Sequence, residues 1–203
     1  QALWELANGE FGSIDYWINN AGYASGQNPV HKVPESLIHT MIDTNFKGML
    51  FGSQVAITGF RKQGSGRLYN MLGGSFDGKR LTKGMGVYSS TKASINILTK
   101  YLASENKNTN IIVGAISPGI LITENWLNEQ QRLTPEEWNR IKPMVNMICD
   151  HVETATPWIT EQIIQNTTNG RRIAWLTTWK ILKRVVDVKL LRKKRDLCSR
   201  YGI

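Results

Sequence analysis

Three short apolar runs, each closed by turn residues and separated by helical patterns, restrict this chain to one fold class. The runs are Ile14 to Ile18, Leu68 to Leu72 and Ile111 to Ile116. The last is continuous, the kind of strand that a parallel sheet buries on both faces. They exit at Asn19-Asn20-Ala21-Gly22, at Gly73-Gly74 and at Ser117-Pro118-Gly119. Between them, Pro34 to Phe60 carries apolar residues at helical spacing, and Pro34 suits a first turn. Gly64-Ser65-Gly66 ends that segment. From Val87, apolar residues at 95, 98 and 102 predict a second helix. Strand, helix, strand, helix, strand is the order of an α/β domain, a doubly wound parallel sheet with helices on both faces.

At 203 residues the length fits one domain with a real core. An apolar fraction of 41% and a charged fraction of 20% are those of a globular protein. Residues 1 to 20 lack the basic start and apolar block of a secretory leader. The longest uncharged stretches, Met49 to Phe60 and Ile111 to Thr123, are too short to span a bilayer. Cys149 and Cys198 lie far apart without metal-ligand spacing, so no metal is expected and a reduced, cytoplasmic compartment is.

The chemistry gathers between Gly66 and Leu102. Ser75 follows a strand, on the carboxyl-end loop where open α/β sheets bind ligands. Tyr88 comes thirteen residues later and Lys92 four after that. Tyr88 and Lys92 share one helix face, a turn apart. A free phenol has a pKa of about 10 and is a poor base at neutral pH. An ammonium held close favours the phenolate, so Lys92 is expected to tune Tyr88 for proton exchange with a carbonyl or alcohol oxygen. Ser75 can hydrogen-bond the same oxygen. Alone, a Tyr-x3-Lys pair on a helix is often a solvated edge, and Asn45, inside the first long helix, reads as a solvent-facing residue.

Residues 124 to 169 are less regular and carry Trp126, Trp138, Trp158, Met144 and Met147. They read either as an extra helical lobe with its own small core or as an adaptable apolar wall for a large flat substrate. Arg172 to Thr177 is a candidate last strand. Lys180 to Arg200 holds nine Lys/Arg against two Asp, much of the net +9 charge. Leu182, Val185, Val186, Leu190 and Leu197 keep helical spacing there, which predicts a basic C-terminal helix. It either packs on the domain or lies on an anionic membrane surface. Nucleic acid is the weaker reading, because no reading module accompanies the basic run.

Taken in order, these residues resemble the short-chain dehydrogenase/reductase family. The match comprises Asn19-Asn20-Ala21-Gly22, Asn45, Ser75, Tyr88-x3-Lys92 and Pro118-Gly119-Ile120-Leu121-Ile122-Thr123. The resemblance implies a Rossmann-like fold and an NAD(P)-dependent oxidoreductase, with NADP(H) favoured over NAD(H). It implies catalytic roles for four residues: Tyr88 as acid/base, Lys92 lowering its pKa and binding the nicotinamide ribose, Ser75 orienting the substrate oxygen, and Asn45 holding a relay water. It further implies that Asn19, Asn20, Ala21 and Gly22 line the cofactor groove, and that Pro118, Gly119, Leu121 and Thr123 meet its nicotinamide end. A homo-oligomer built on helices 34–60 and 87–104 is implied as well.

Within the family the chain is most similar to the chlorophyll b reductase branch. Trp17 to Gly22, Asn70-Met71 before a Gly-rich turn, Ser117-Pro118-Gly119 with Thr123-Glu124, and Asn146-Met147-Ile148-Cys149 followed by Glu153-Thr154-Ala155 carry that likeness. It implies reduction of a formyl group on a bulky apolar substrate to hydroxymethyl. The other reading is a non-catalytic dehydrogenase-like binder docking through its basic tail. A full Ser/Tyr/Lys/Asn set favours the enzyme. The family's Gly-rich phosphate-binding turn is absent from this sequence, and its place would precede Gln1, so the first βαβ part is expected to lie upstream. Ile14 to Ile18 is then expected at a sheet edge.

Overall fold

The computed structural model describes residues 1–24, 26–130 and 133–201. Its contacts divide into two compact units, one of Gln1–Ile116 with Asn166–Ile173, the other of Ser117–Gln165 with Ala174–Ile203.

The first unit is built on the predicted strands. β1 (Tyr16–Asn19), β2 (Gly66–Met71) and β3 (Ile111–Ser117) pair in parallel, Asn19 beside Asn70 and Asn70 beside Ala115. With β6 (Arg172–Ala174) the sheet order is β1-β2-β3-β6, so β1 lies at an edge. β2 and β3 are buried along most of their length, as their apolar runs predict. Ala56 and Phe60 of α3 (Met49–Gln63) pack with Leu68, Ile111, Val113 and Ala103 of α4 (Gly86–Glu105). Phe60 is fully buried, worth about 1.5–3 kcal/mol over an exposed ring. Its ring lies on Gly66, where a Cβ would fall 2.0 Å from it. Trp4 of α1 (Ala2–Phe11) lies on Gly59 in the same way, with a Cβ there 2.0 Å from the indole.

The helix predicted over 34–60 is interrupted. α2 (Glu35–Met41) passes into a π-helical stretch, Ile42–Gly48, before α3 begins. One π-helical turn carries an extra residue, and such bulges concentrate at functional sites. Asn45 sits within it and is fully buried, not solvent-facing. The apolar spacing hides the break, because it continues on both sides.

Among its described residues the second unit holds a two-stranded parallel pair, β4 (Ile120–Ile122) with β5 (Cys149–His151), and four α-helices: α5 (Glu124–Gln130), α6 (Pro135–Ile148), α7 (Val152–Gln165) and α8 (Thr178–Lys189). Residues 124–169 are therefore more regular than their sequence suggests. Thr134 starts α6 with a capping box, its hydroxyl accepting from the Glu137 N–H at 3.2 Å. Ile122, Val145, Cys149, Leu197 and Cys198 form a core of their own, with Trp126 and Trp138 against it. Both cysteines are free and buried.

The basic tail is not one helix to Arg200. α8 ends at Lys189, and Arg192 has a left-handed φ of 51° that breaks helical continuation. Beyond it, Arg195 donates to the carbonyls of Asn146, Met147 and Cys149 at 2.7–3.0 Å. That anchoring turns the segment so that Leu197 and Cys198 enter the core. Leu197 keeps the helical period by coincidence and is buried by another route.

Candidate active site

Tyr88 lies in the first turn of α4 and Lys92 one turn on. Lys92 is 2% exposed, its Nζ 5.8 Å from the Tyr88 ring centroid. It donates to the Met71 carbonyl at the end of β2, 3.2 Å away. An ammonium has three N–H groups, and among the described residues this carbonyl is the acceptor it reaches. The turn after β1 closes on the same side chain. A Cβ at Gly22 would sit 3.3 Å from Lys92 Nζ and 3.5 Å from Asn45 Oδ1.

Asn45 holds that turn to α4. Its Oδ1 accepts from the Tyr23 N–H at 2.7 Å, and its Nδ2 donates to the Tyr23 carbonyl at 2.8 Å and to Thr91 Oγ1 at 3.1 Å. Thr91 in turn donates to the Tyr88 carbonyl at 2.7 Å. The side-chain amide of Asn45 is thus mostly engaged in scaffolding, with one Oδ1 lone pair left for a water. Asn19 is engaged likewise. Its Nδ2 donates to Ser53 Oγ and Asn70 Oδ1, and its Oδ1 accepts from Trp17 Nε1. Asn20, Ala21 and Gly22 are exposed.

The exit of β2 carries a residue that the sequence reading missed. A Cβ at Gly73 would fall 2.1 Å from the Tyr88 hydroxyl oxygen and 2.7 Å from Cζ. The phenol therefore sits directly on the Gly73 backbone. Ser75 lies two residues on, half-buried, with φ 59°, and its hydroxyl donates to the Arg80 carbonyl. To donate to a substrate it must release that contact, since a hydroxyl has one proton. The only sequence signal for Gly73 was a Gly-Gly pair, which reads first as a strand breaker.

The electrostatics run against the tuning expected from sequence. Burial pushes the Tyr88 phenol above its usual value. Burial also pulls the Lys92 ammonium down, from its ordinary 10.5 to about 8. Desolvation disfavours both charged forms, and at 5.8 Å from the ring the cation does not offset it. At neutral pH the pair holds a neutral phenol and a mostly charged ammonium, the protonation state of a proton donor.

Pro118, Gly119, Leu121 and Thr123 belong to the second unit. Gly119 has φ 80°, and a Cβ there would meet Leu176 Cβ at 2.6 Å. Leu121 is paired with Asp150. Thr123 Oγ1 accepts from the Trp126 N–H at 3.3 Å, at the start of α5. Among the described residues no group of His, Cys, Asp and Glu is arranged to hold a metal ion, and no helix is long and apolar enough to cross a membrane.

Residues 1–134 match the family model for short chain dehydrogenases. The chain belongs to the short-chain dehydrogenase family. Among curated relatives of this short-chain dehydrogenase, a probable chlorophyll(ide) b reductase of rice is 30% identical over 94% of this chain and 36% of its own length. Its Arabidopsis thaliana counterpart is 30% identical over 95% of this chain and 37% of its own length. An uncharacterised oxidoreductase of Staphylococcus aureus strain N315 is 37% identical over 60% of this chain and 51% of its own. The chain thus spans little more than a third of the plant proteins' length. Among solved structures, an actinorhodin polyketide ketoreductase variant with NADPH superposes with TM-score 0.74 at 21% identity, over 86% of this chain and 70% of that one. ElxO with NADP bound superposes with TM-score 0.70 at 22% identity, over 85% and 70%. These likenesses establish the Rossmann-type α/β fold for this short-chain dehydrogenase.

Proposed function

We propose that the chain is the catalytic part of an NADPH-dependent reductase acting on a carbonyl, with a formyl group on a bulky apolar ring system as the preferred substrate class. What carries this reading is a buried ammonium one helical turn from a neutral phenol whose hydroxyl lies on the strand exit at Gly73. Two solved neighbours hold NADP or NADPH, and the plant relatives are probable chlorophyll(ide) b reductases.

The residues fit a nicotinamide nucleotide. Lys92 has donor capacity beyond its one carbonyl partner. Gly22 leaves open the space against Lys92 Nζ that a Cβ would crowd. Lys92 and the Asn19-Asn20-Ala21-Gly22 turn would hold the ribose side of the cofactor. When bound, NADPH supplies the hydride.

The protein's own part is proton delivery and placement. Tyr88 gives its phenolic proton to the carbonyl oxygen as negative charge develops there. Ser75, once freed from Arg80, donates to the same oxygen and fixes its position. Lys92 stabilises the phenolate left behind and passes a proton back toward it, with Asn45 ordering the route. Association of two or more copies is expected through α2, α3 and α4.

The test is turnover. With NADPH, a formyl-bearing tetrapyrrole is converted to its hydroxymethyl product, followed by chromatography, and NADH supports a slower rate. Formyl tetrapyrrole left unreduced while simpler aldehydes are turned over would move the substrate class. No nicotinamide oxidation with any aldehyde would end the reading.

A further inference from the structure

Helix α8 presents two apolar faces, and only one of them is covered. Ile181, Val185 and Val188 are half-buried. On the other side Trp179 is 75% exposed, Leu182 52%, Val186 38% and Leu190 74%. These four fall at i, i+3, i+7 and i+11, so they form one continuous stripe along the helix. Scattered single apolar residues on a surface need no explanation, but an aligned row of four headed by a tryptophan does. Lys183 and Lys189 lie beside the stripe, one on each flank by helical position.

Next to this stripe, the tail folds back along α8. Lys180, Lys183, Arg184, Lys193, Lys194 and Arg195 wall a concavity of about 330 Å³, with Asp187 as the acid among its lining residues. Two of the six cations are neutralised by the protein in a fixed way. Arg184 and Arg195 bind the buried carboxylate of Asp150 and the carbonyls at the end of α6. Lys193 is paired with Asp187 at 2.9 Å. Among the described residues Lys180, Lys183 and Lys194 have no ion-pair partner. Lys180 Nζ lies over the Trp175 ring, 2.9 Å from its centroid, which leaves Lys183 and Lys194 open to an added anion.

We infer that α8 is an interfacial helix that docks this unit on an anionic lipid surface, the Trp179–Leu190 stripe entering the headgroup boundary and the lysines taking lipid phosphates. Apolar burial and charge attraction are both needed for such a helix, and here both lie on the same element. A purely charged face would not leave a tryptophan and two leucines in water, and a protein partner would not require cations on both flanks and in the adjoining hollow. The inference stands independently of the proposed reductase activity.

The experiment is co-sedimentation of the full chain with vesicles of phosphatidylglycerol or of phosphatidylcholine alone. Binding to the anionic vesicles is expected, with little to the neutral ones. Lys183→Gln/Lys189→Gln should weaken it by about tenfold or more, from roughly fivefold per lysine at an anionic surface. Trp179→Ala/Leu190→Ala should weaken it similarly. Lys100→Gln/Lys107→Gln, with equal charge loss at exposed positions of the first unit, should change it less than about twofold. All of these positions are exposed, and circular dichroism checks that each variant keeps the fold. Failure to bind anionic vesicles overturns the inference. So does an equal loss in the Lys100/Lys107 control, which would make the binding diffuse, or full retention in Trp179→Ala/Leu190→Ala, which would make it purely ionic. Self-association without lipid, removed by Trp179→Ala, together with no vesicle binding, would assign the stripe to a second copy instead.

Discussion

At the scale of single residues, the candidate site turns on a contact with no side chain on one side. Gly73 is where the phenol rests, and nothing larger fits beneath a hydroxyl that would be 2.1 Å from its Cβ. Gly73→Ala must push the Tyr88 hydroxyl aside. Displacement of about an ångström at a reacting group costs up to roughly a hundredfold in rate. We expect kcat to fall tenfold to a hundredfold while the NADPH dissociation constant shifts less than about twofold. A residue important only for folding would lower Tm and leave kcat alone. Lys92 makes a second prediction, on stability. Its folded pKa, about 8, is below its ordinary 10.5. Between those values the unfolded chain holds the proton and the folded chain does not, so stability rises with pH across that window. Below pH 8 the folded protein carries the full cost of the buried cation. Lys92→Met, similar in length and uncharged, should therefore gain stability at pH 7, by up to about 3 kcal/mol. The gain should fade toward pH 10.5 in urea melts, and the variant should lose turnover.

At the scale of elements, the second unit depends on one carboxylate. Asp150 is 3% exposed and receives Arg184 at 2.7 Å, Arg195, and the Trp175 indole N–H at 2.7 Å. It joins β5 to α8 and to the tail, and both guanidiniums also cap the end of α6. Asp150→Asn leaves two partly buried cations uncompensated, which costs about 3–5 kcal/mol. An unfolding free energy lowered by that amount in denaturant melts, with Trp fluorescence changing first, is the expected result. This hub was not legible in the sequence, since partners 34 and 45 residues away carry no local pattern. The strands and α4 were legible because burial on both faces and a 3.6-residue period leave direct traces in composition. The π-helical stretch was not, because apolar spacing continues through it. The end of α8 was not either. Residues 190–198 contain no Gly or Pro, and the helix stops through a left-handed Arg192 and the tertiary bonds of Arg195.

At the scale of the whole molecule, the α/β class and the family were readable from the order of motifs. The division into two compact units was not, because the chain crosses between them at Ile116, Gln165 and Ile173 within or beside regular elements. The site residues were readable as types, while their burial and its effect on Tyr88 and Lys92 were not. In the proposed carbonyl reduction, Tyr88 delivers the proton while other groups hold the cofactor. Tyr88→Phe removes one hydroxyl and keeps the ring that Lys92 faces at 5.8 Å. The most direct measurement is turnover and NADPH affinity of this variant beside the parent protein. Tyr88→Phe is expected to lose about a hundredfold or more in kcat, from the loss of a general acid, with NADPH affinity within about twofold. Turnover equal to the parent's would contradict proton delivery by Tyr88.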